Sequence, residues 1–182
     1  MRCALPNLWA WRSNANGMSD LHHVYLNLGS NLEPEENIPL AIKLLKEVGE
    51  ISAVSSVWET ESVGYAAPNF LNVCVLLRTP FDAEQVKHKI NRPIEAQMGR
   101  VRGENKNAPR PIDIDIVLFD ETPHNVQTWE QAFVVVPLAE LVPEFKTHSG
   151  ETLSDFAKQL QGQVWMRKRE DILISLTVPR RG

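Results

Sequence analysis

The sequence predicts an α+β fold, a ferredoxin-like βαββαβ sandwich with C-terminal additions. Two strand–helix–strand patterns follow one another between His23 and Phe119. Both intervening segments open with residues that favour helix N-termini. A hydrophobic fraction of 43% and a charged fraction of 23% over 182 residues suit one globular domain with a sizeable core.

His23 to Leu28 (HVYLNL) reads as the first strand, and Gly29-Ser30-Asn31 as the turn after it. Acids at Glu33, Glu35 and Glu36 precede an apolar-periodic stretch, Ile38 to Val48, because carboxylates suit the positive end of a helix. Pro39 places the start of the regular helix near Asn37, and Gly49 ends it. Ile51 to Glu59 reads as the second strand. Residues 60–69 (TESVGYAAPN) form a loop, and FLNVCVLLR (70–78) is a nearly continuous apolar strand. Asp82 and Gln85 make a capping-box pattern for a helix running toward Met98, which Pro93 should kink or break. A polar stretch, RVRGENKNAP (100–109), leads into the strand PIDIDIVLFD.

Beyond it, residues 132–145 (AFVVVPLAELVPEF) suggest a short strand or helical turn and then an irregular segment. Thr152 to Leu160 reads as a helix and DILISLTV (171–178) as a strand. Residues 18–182 make the single domain. Residues 1–17 read as an extension outside it, with an arm docked through Trp9 and Trp11 as the alternative. Pro6 and Arg12 interrupt any signal-peptide core there.

A net charge of −4 argues against nucleic acid or an anionic membrane as partner. No apolar run reaches the roughly 18 residues of a membrane span. Two cysteines, Cys3 and Cys74, provide neither a disulfide framework nor metal-ligand spacing, so a cytoplasmic setting is expected. Nothing in the sequence decides between a monomer and a weak homodimer.

The chemistry concentrates in KNAPRPIDIDIVLFD (106–120). Aspartate is depleted from strands, yet Asp113 and Asp115 stand at i and i+2, on one face and roughly 6–7 Å apart. Ile112, Ile114, Ile116 and Leu118 share the other face; Val117 and Phe119 follow the acids. Arg92, Arg100, Arg102, Lys106 and Arg110 lie within and around the preceding loop, offset only by Glu95 and Glu104. Arginine forks suit phosphate oxygens, and paired carboxylates suit Mg²⁺ shared with substrate phosphates. The combination points to a nucleotide phosphate site; a solvated strand start beside a basic loop is the bland alternative. There is no Walker A or Gly-x-Gly-x-x-Gly sequence.

Four stretches together, YLNLGSNL (25–32), the strands around SSVWET and FLNVCV, IEAQMGRVR (94–102) and KNAPRPIDIDIV (106–117), resemble the 6-hydroxymethyl-7,8-dihydropterin pyrophosphokinases of folate biosynthesis. The resemblance covers about residues 22–160. It implies transfer of the terminal pyrophosphoryl group of ATP to the pterin hydroxymethyl group, with release of AMP. It further implies that Asp113 and Asp115 hold two Mg²⁺ ions, and that Arg100, Arg102 and Arg110 engage the phosphates with His124. The pterin would stack between Phe70 and Phe133 and be read by Asn72, in a pocket lined by Thr60, Val63 and Glu95. Ordinary core packing is the alternative for both phenylalanines. Asn107 stands where the family commonly has an aromatic residue, and Gln131 where it often has arginine. A catalytically weakened nucleotide- or pterin-binding module is therefore the second reading, and a Mg²⁺-dependent nuclease a third.

Overall fold

The computed structural model describes residues 21–62, 68–101 and 109–173. Its centre is β1 (His22–Ser30), which pairs antiparallel with β4 (Phe70–Thr79) on one side and β5 (Asp113–Phe119) on the other. Outside β4 lie β2 (Glu50–Val54) and β3 (Trp58–Thr60), with β7 (Met166–Lys168) beyond β3 and β6 (Thr122–Pro123) beyond β5. Without the short outer strands β6 and β7 this is the strand order of a ferredoxin-like sandwich, as the sequence predicts.

Alternation along β1 assigns its two faces. Val24, Leu26 and Leu28 point to one side and are fully buried against Ile38, Ile42 and Leu45 of α1 (Pro34–Val48). Ile90 and Ile94 add the second helical path: α2 (Ala83–Val86), a π turn (Lys87–Asn91) and α3 (Arg92–Gln97). Cys74, Trp58 and Val117 on the opposite face pack under α4 (Ala132–Leu141) and α5 (Leu153–Gln161). The C-terminal additions thus cover the second sheet face and turn a two-layer sandwich into three layers.

Several elements depart from the sequence reading, each for a local reason. β1 continues through Gly29 and Ser30, which pair with Asn72 and Leu71 rather than turning. α1 starts at Pro34 instead of near Asn37, because Glu33 takes a left-handed conformation (φ 44°) and leaves a proline at N1. Pro39 is then internal, and its missing donor falls to the carbonyl of exposed Glu35. The second strand splits into β2 and β3. Between Val54↔Val75 and Trp58↔Asn72 the outer strand advances four residues and β4 only three, so a bulge forms. Ser55 bridges it, donating its N–H to the Cys74 carbonyl and accepting the Cys74 N–H at Oγ, both at 2.9 Å.

The expected break at Pro93 does not occur. The π turn just before it carries the Arg92 N–H to the Lys87 carbonyl and sets Pro93 in the first turn of α3. On β5 the register shifts opposite Tyr25/Leu26, so Phe119 packs with the α1–α3 side rather than sharing the face of the aspartates. Residues 132–141 form the full helix α4, apolar except for the exposed Glu140 because it is buried between the sheet and α5. Thr152 caps α5 by accepting the Asp155 N–H, as its position suggests. Asp171 to Leu173 are turn, not strand, and the remainder of 171–178 lies outside the described residues. The extension 1–17 also lies outside them.

Candidate active site

Two rows of residues cross the sheet on the α4 side. Asp113, Gly29 and Asn72 stand opposite one another across β5, β1 and β4, and Asp115, Asn27 and Cys74 form the next row. A Cβ on Gly29 would lie 3.1 Å from Asn72 Oδ1, so glycine leaves the room in which that amide sits. Asn72 is buried and donates from Nδ2 to Thr60 Oγ1 at 3.0 Å. Phe70, paired with Thr60, sits beneath the Arg110 guanidinium at 5.9 Å. A cavity of about 250 Å³ opens over these rows, lined by Thr60, Phe70, Asn72, Arg110, Asp113 and Asp115, with Phe133 from the first turn of α4.

The aspartates are held differently. Asp113 is bracketed by two arginines: Arg100 donates to its Oδ1, and Arg110 to its Oδ2 at 2.8 Å. Burial opposes the charge on Asp113, but these bonds and charges outweigh it and keep its carboxyl below the usual range. Arg100 shows the reciprocal balance. Burial lowers its affinity for the proton, while Asp113, Glu95 and Asp115 raise it to a net increase. Asp115, by contrast, is exposed.

The neighbouring backbone is fixed from both sides. Glu95, 2% exposed, accepts from Arg100 at 2.8 Å and from the Ile114 N–H at 3.0 Å. One helical turn earlier, Asn91 donates to the Ile114 carbonyl at 3.1 Å, so α3 and the π turn satisfy the outer edge of β5 between the two acids. Just past β1, Asn31 Oδ1 accepts the Arg110 N–H at 2.8 Å while the Arg110 carbonyl receives the N–H groups of Asn31 and Leu32 at 3.3 Å. Asn31, which the sequence places in a turn, thus clamps Arg110.

A second cavity, of about 350 Å³, lies along the other side of β5 and is lined by Lys87, Asn91, Arg92, Glu95, Asp115 and His124. Asp115 therefore borders both cavities. Arg100 lies behind, in a shallower recess with Arg92 and Glu95. Of the sequence-predicted residues, Thr60, Phe70, Asn72, Phe133, Arg110, Asp113 and Asp115 meet at the first cavity, and His124 and Glu95 at the second. Val63, Arg102 and the divergent Asn107 lie outside the described residues. Asn27, which the sequence does not single out, lines the first cavity, 7% exposed, and its Oδ1 has no hydrogen-bond partner among the described residues. A polar side chain in an apolar strand was the available clue, the same one that exposed the aspartates.

The family model for 7,8-dihydro-6-hydroxymethylpterin-pyrophosphokinase (HPPK) matches residues 25–143, a span that includes both cavities' lining residues. The chain belongs to the HPPK family. Its function is accordingly pyrophosphoryl transfer to a hydroxymethyldihydropterin, in folate biosynthesis. A 2-amino-4-hydroxy-6-hydroxymethyldihydropteridine pyrophosphokinase of Porphyromonas gingivalis is 36% identical over 135 residues, covering 66% of this chain and 90% of the relative. That of Bacillus subtilis is 31% identical over 158 residues, covering 79% and 90%. The fold is similar to that of Plasmodium falciparum HPPK-DHPS, wild type with pterin and p-hydroxybenzoate, at a TM-score of 0.60 and 15% identity. That match covers 79% of this chain and 44% of the other. As in any HPPK the co-substrate is ATP. No helix among the described residues is long and apolar enough to cross a membrane.

Proposed function

We propose that this HPPK binds its pterin in the Phe70–Phe133–Asn72 cavity and ATP along the His124 side of β5, and that the pyrophosphoryl group passes across Asp115. The observation that carries this reading is that Asp115 borders both cavities while Asp113, one row away, is held charged by Arg100 and Arg110.

Phe70 and Phe133 would flank the flat heterocycle, and Asn72, oriented by Thr60, would read its amide edge. Arg100, Arg102 and Arg110 would neutralise the phosphates, with His124 and Arg92 along the chain of the nucleotide. Glu95 acts from below, by fixing Arg100 and the Ile114 N–H.

The donor set fits Mg²⁺. Asp113 and Asp115 share one face, and among the described residues no group of three or more His, Cys, Asp and Glu side chains forms a metal cage. One or two carboxylates completed by substrate phosphates and water is the environment that Mg²⁺ takes. When bound there, a pair of Mg²⁺ ions would supply charge neutralisation and alignment for the transferred group. The protein's part is positioning and electrostatics: it holds two substrates in adjoining cavities with arginines preorganised by buried carboxylates. Cys74 is buried within the sheet, and burial pushes its thiol pKa up, so it stays a protonated core residue; we place the protein in the cytoplasm.

The test is to incubate the protein with ATP, hydroxymethyl-dihydropterin and Mg²⁺ and to identify the nucleotide product. AMP that requires both the pterin and Mg²⁺ is expected. ADP would mean ordinary kinase chemistry, and binding of ATP and pterin without any product would mean a module that has lost catalysis.

A further inference from the structure

Glu59 lies on β3 between Trp58 and Thr60, on the face away from the cavity. It is only 9% exposed, yet its two carboxylate oxygens are used for different purposes. Oε1 accepts from Asn69 Nδ2 at 2.9 Å. Oε2 accepts from Arg167 Nε at 3.0 Å and Nη2 at 2.7 Å, and from Arg169 Nη1 at 3.2 Å. Arg167 stands directly opposite Glu59 in the β3–β7 pairing, and Arg169 is itself held by Asp171 at 2.9 Å and 3.0 Å.

Asn69 immediately precedes Phe70, and Thr60 immediately follows Glu59. The Glu59–Asn69 bond therefore runs diagonally past the Thr60↔Phe70 pair that lines the cavity, tying the residue just outside Phe70 to the one just inside Thr60. Asn69 is exposed, and its bond to Glu59 ties its side chain to β3. Hydrogen bonding by Asn69 is the largest influence holding the Glu59 carboxyl below its usual range, ahead of the opposing effect of burial and of the two arginines.

We infer that Glu59, braced by Arg167 of β7 and by Arg169 just after it, is a positioning residue for the pterin-binding wall: it fixes Thr60 and Phe70 by tying Asn69 to β3. The inference rests on the pterin occupying the first cavity, as proposed above. It also gives β7 a function. Arg167 and Arg169 lie beyond residue 143, outside the matched family region, so the segment that supports this wall is separate from the residues that build it.

Three full-length variants, Glu59→Gln, Asn69→Ala and the double variant, test this against the wild type. Pterin binding is titrated by the ligand's own fluorescence and AMP formation is followed on the same preparations. Loss of this hydrogen bond, or of the charge on its acceptor, should raise the pterin Kd and KM about three- to tenfold in each single variant. The KM for ATP and kcat should stay within about twofold, since neither residue borders the second cavity. The double variant should be no worse than the more affected single one, because Asn69→Ala removes, and Glu59→Gln weakens by taking away the acceptor's charge, the same bond.

An unchanged pterin Kd in both single variants overturns the inference. So does a fall in kcat with a rise in both KM values that follows a fall in thermal stability, since that is plain structural damage. If the wild type forms no AMP, the catalytic reading fails, while the pterin titration still decides the role of Glu59.

Discussion

Asp113 and Asp115 have the same side chain, the same strand and the same face, yet different surroundings. Two arginines hold Asp113 charged, whereas Asp115 stands exposed between two cavities. Replacement of either by alanine is expected to reduce AMP formation by at least about 10²-fold while far-UV circular dichroism stays native. The depressed Asp113 pKa also has a pH consequence. A carboxyl whose folded value lies below its ordinary 3.8 contributes stability above that value, and the contribution disappears as pH falls through the depressed one. Arg110→Ala removes one of the two charges responsible, so the acid limb of kcat/KM should move to higher pH than in the wild type. A limb that stays in place would mean that Asp113 is not the titrating group.

At the scale of elements, the end of the second helical path is built to serve β5. The capping box at Asp82 and Gln85 starts it as the sequence predicts, with both reciprocal bonds formed at 2.8 Å and 3.3 Å. Its π turn was not legible, because such a turn depends on which side chains must face the sheet rather than on local propensity. Asn91 and Glu95 meet that need at the Ile114 carbonyl and N–H. Glu95→Ala would remove one of the two carboxylates that hold Arg100, whose side chain is 13% exposed, and with it the acceptor of the Ile114 N–H. Breaking such a buried pair costs about 3–5 kcal/mol, to be read as a lowered denaturant midpoint. Asp82→Ala, at an exposed cap, should cost only about 1 kcal/mol. At the helix end near β4, a Cβ on Gly49 would meet Leu77 Cδ1 at 2.4 Å, so Gly49→Ala should destabilise by about 1–3 kcal/mol through overpacking.

Over the whole molecule, sequence patterns of short range were the reliable ones. The alternation of β1, the apolar run of β4 and the aspartate pair on β5 are all where the sequence predicts them. The errors arose where a distant partner decides the outcome. The bulge at Ser55 is set by its register with β4, and α4 is a helix because α5 and the sheet bury it from opposite sides. The face of Phe119 is set by a register shift against β1 that no pattern within β5 records. The candidate site was legible as chemistry before it was legible as geometry. Its residue types named phosphate and carboxylate, while only the fold set Asp115 on the wall between two cavities. Transfer of the intact pyrophosphoryl group is the chemistry this arrangement serves, and ATP labelled separately at the β and γ phosphorus tests it most directly. Both labels should appear together on the pterin, in equal amounts, with AMP unlabelled; γ label alone on the pterin, with β label left in ADP, would contradict pyrophosphoryl transfer.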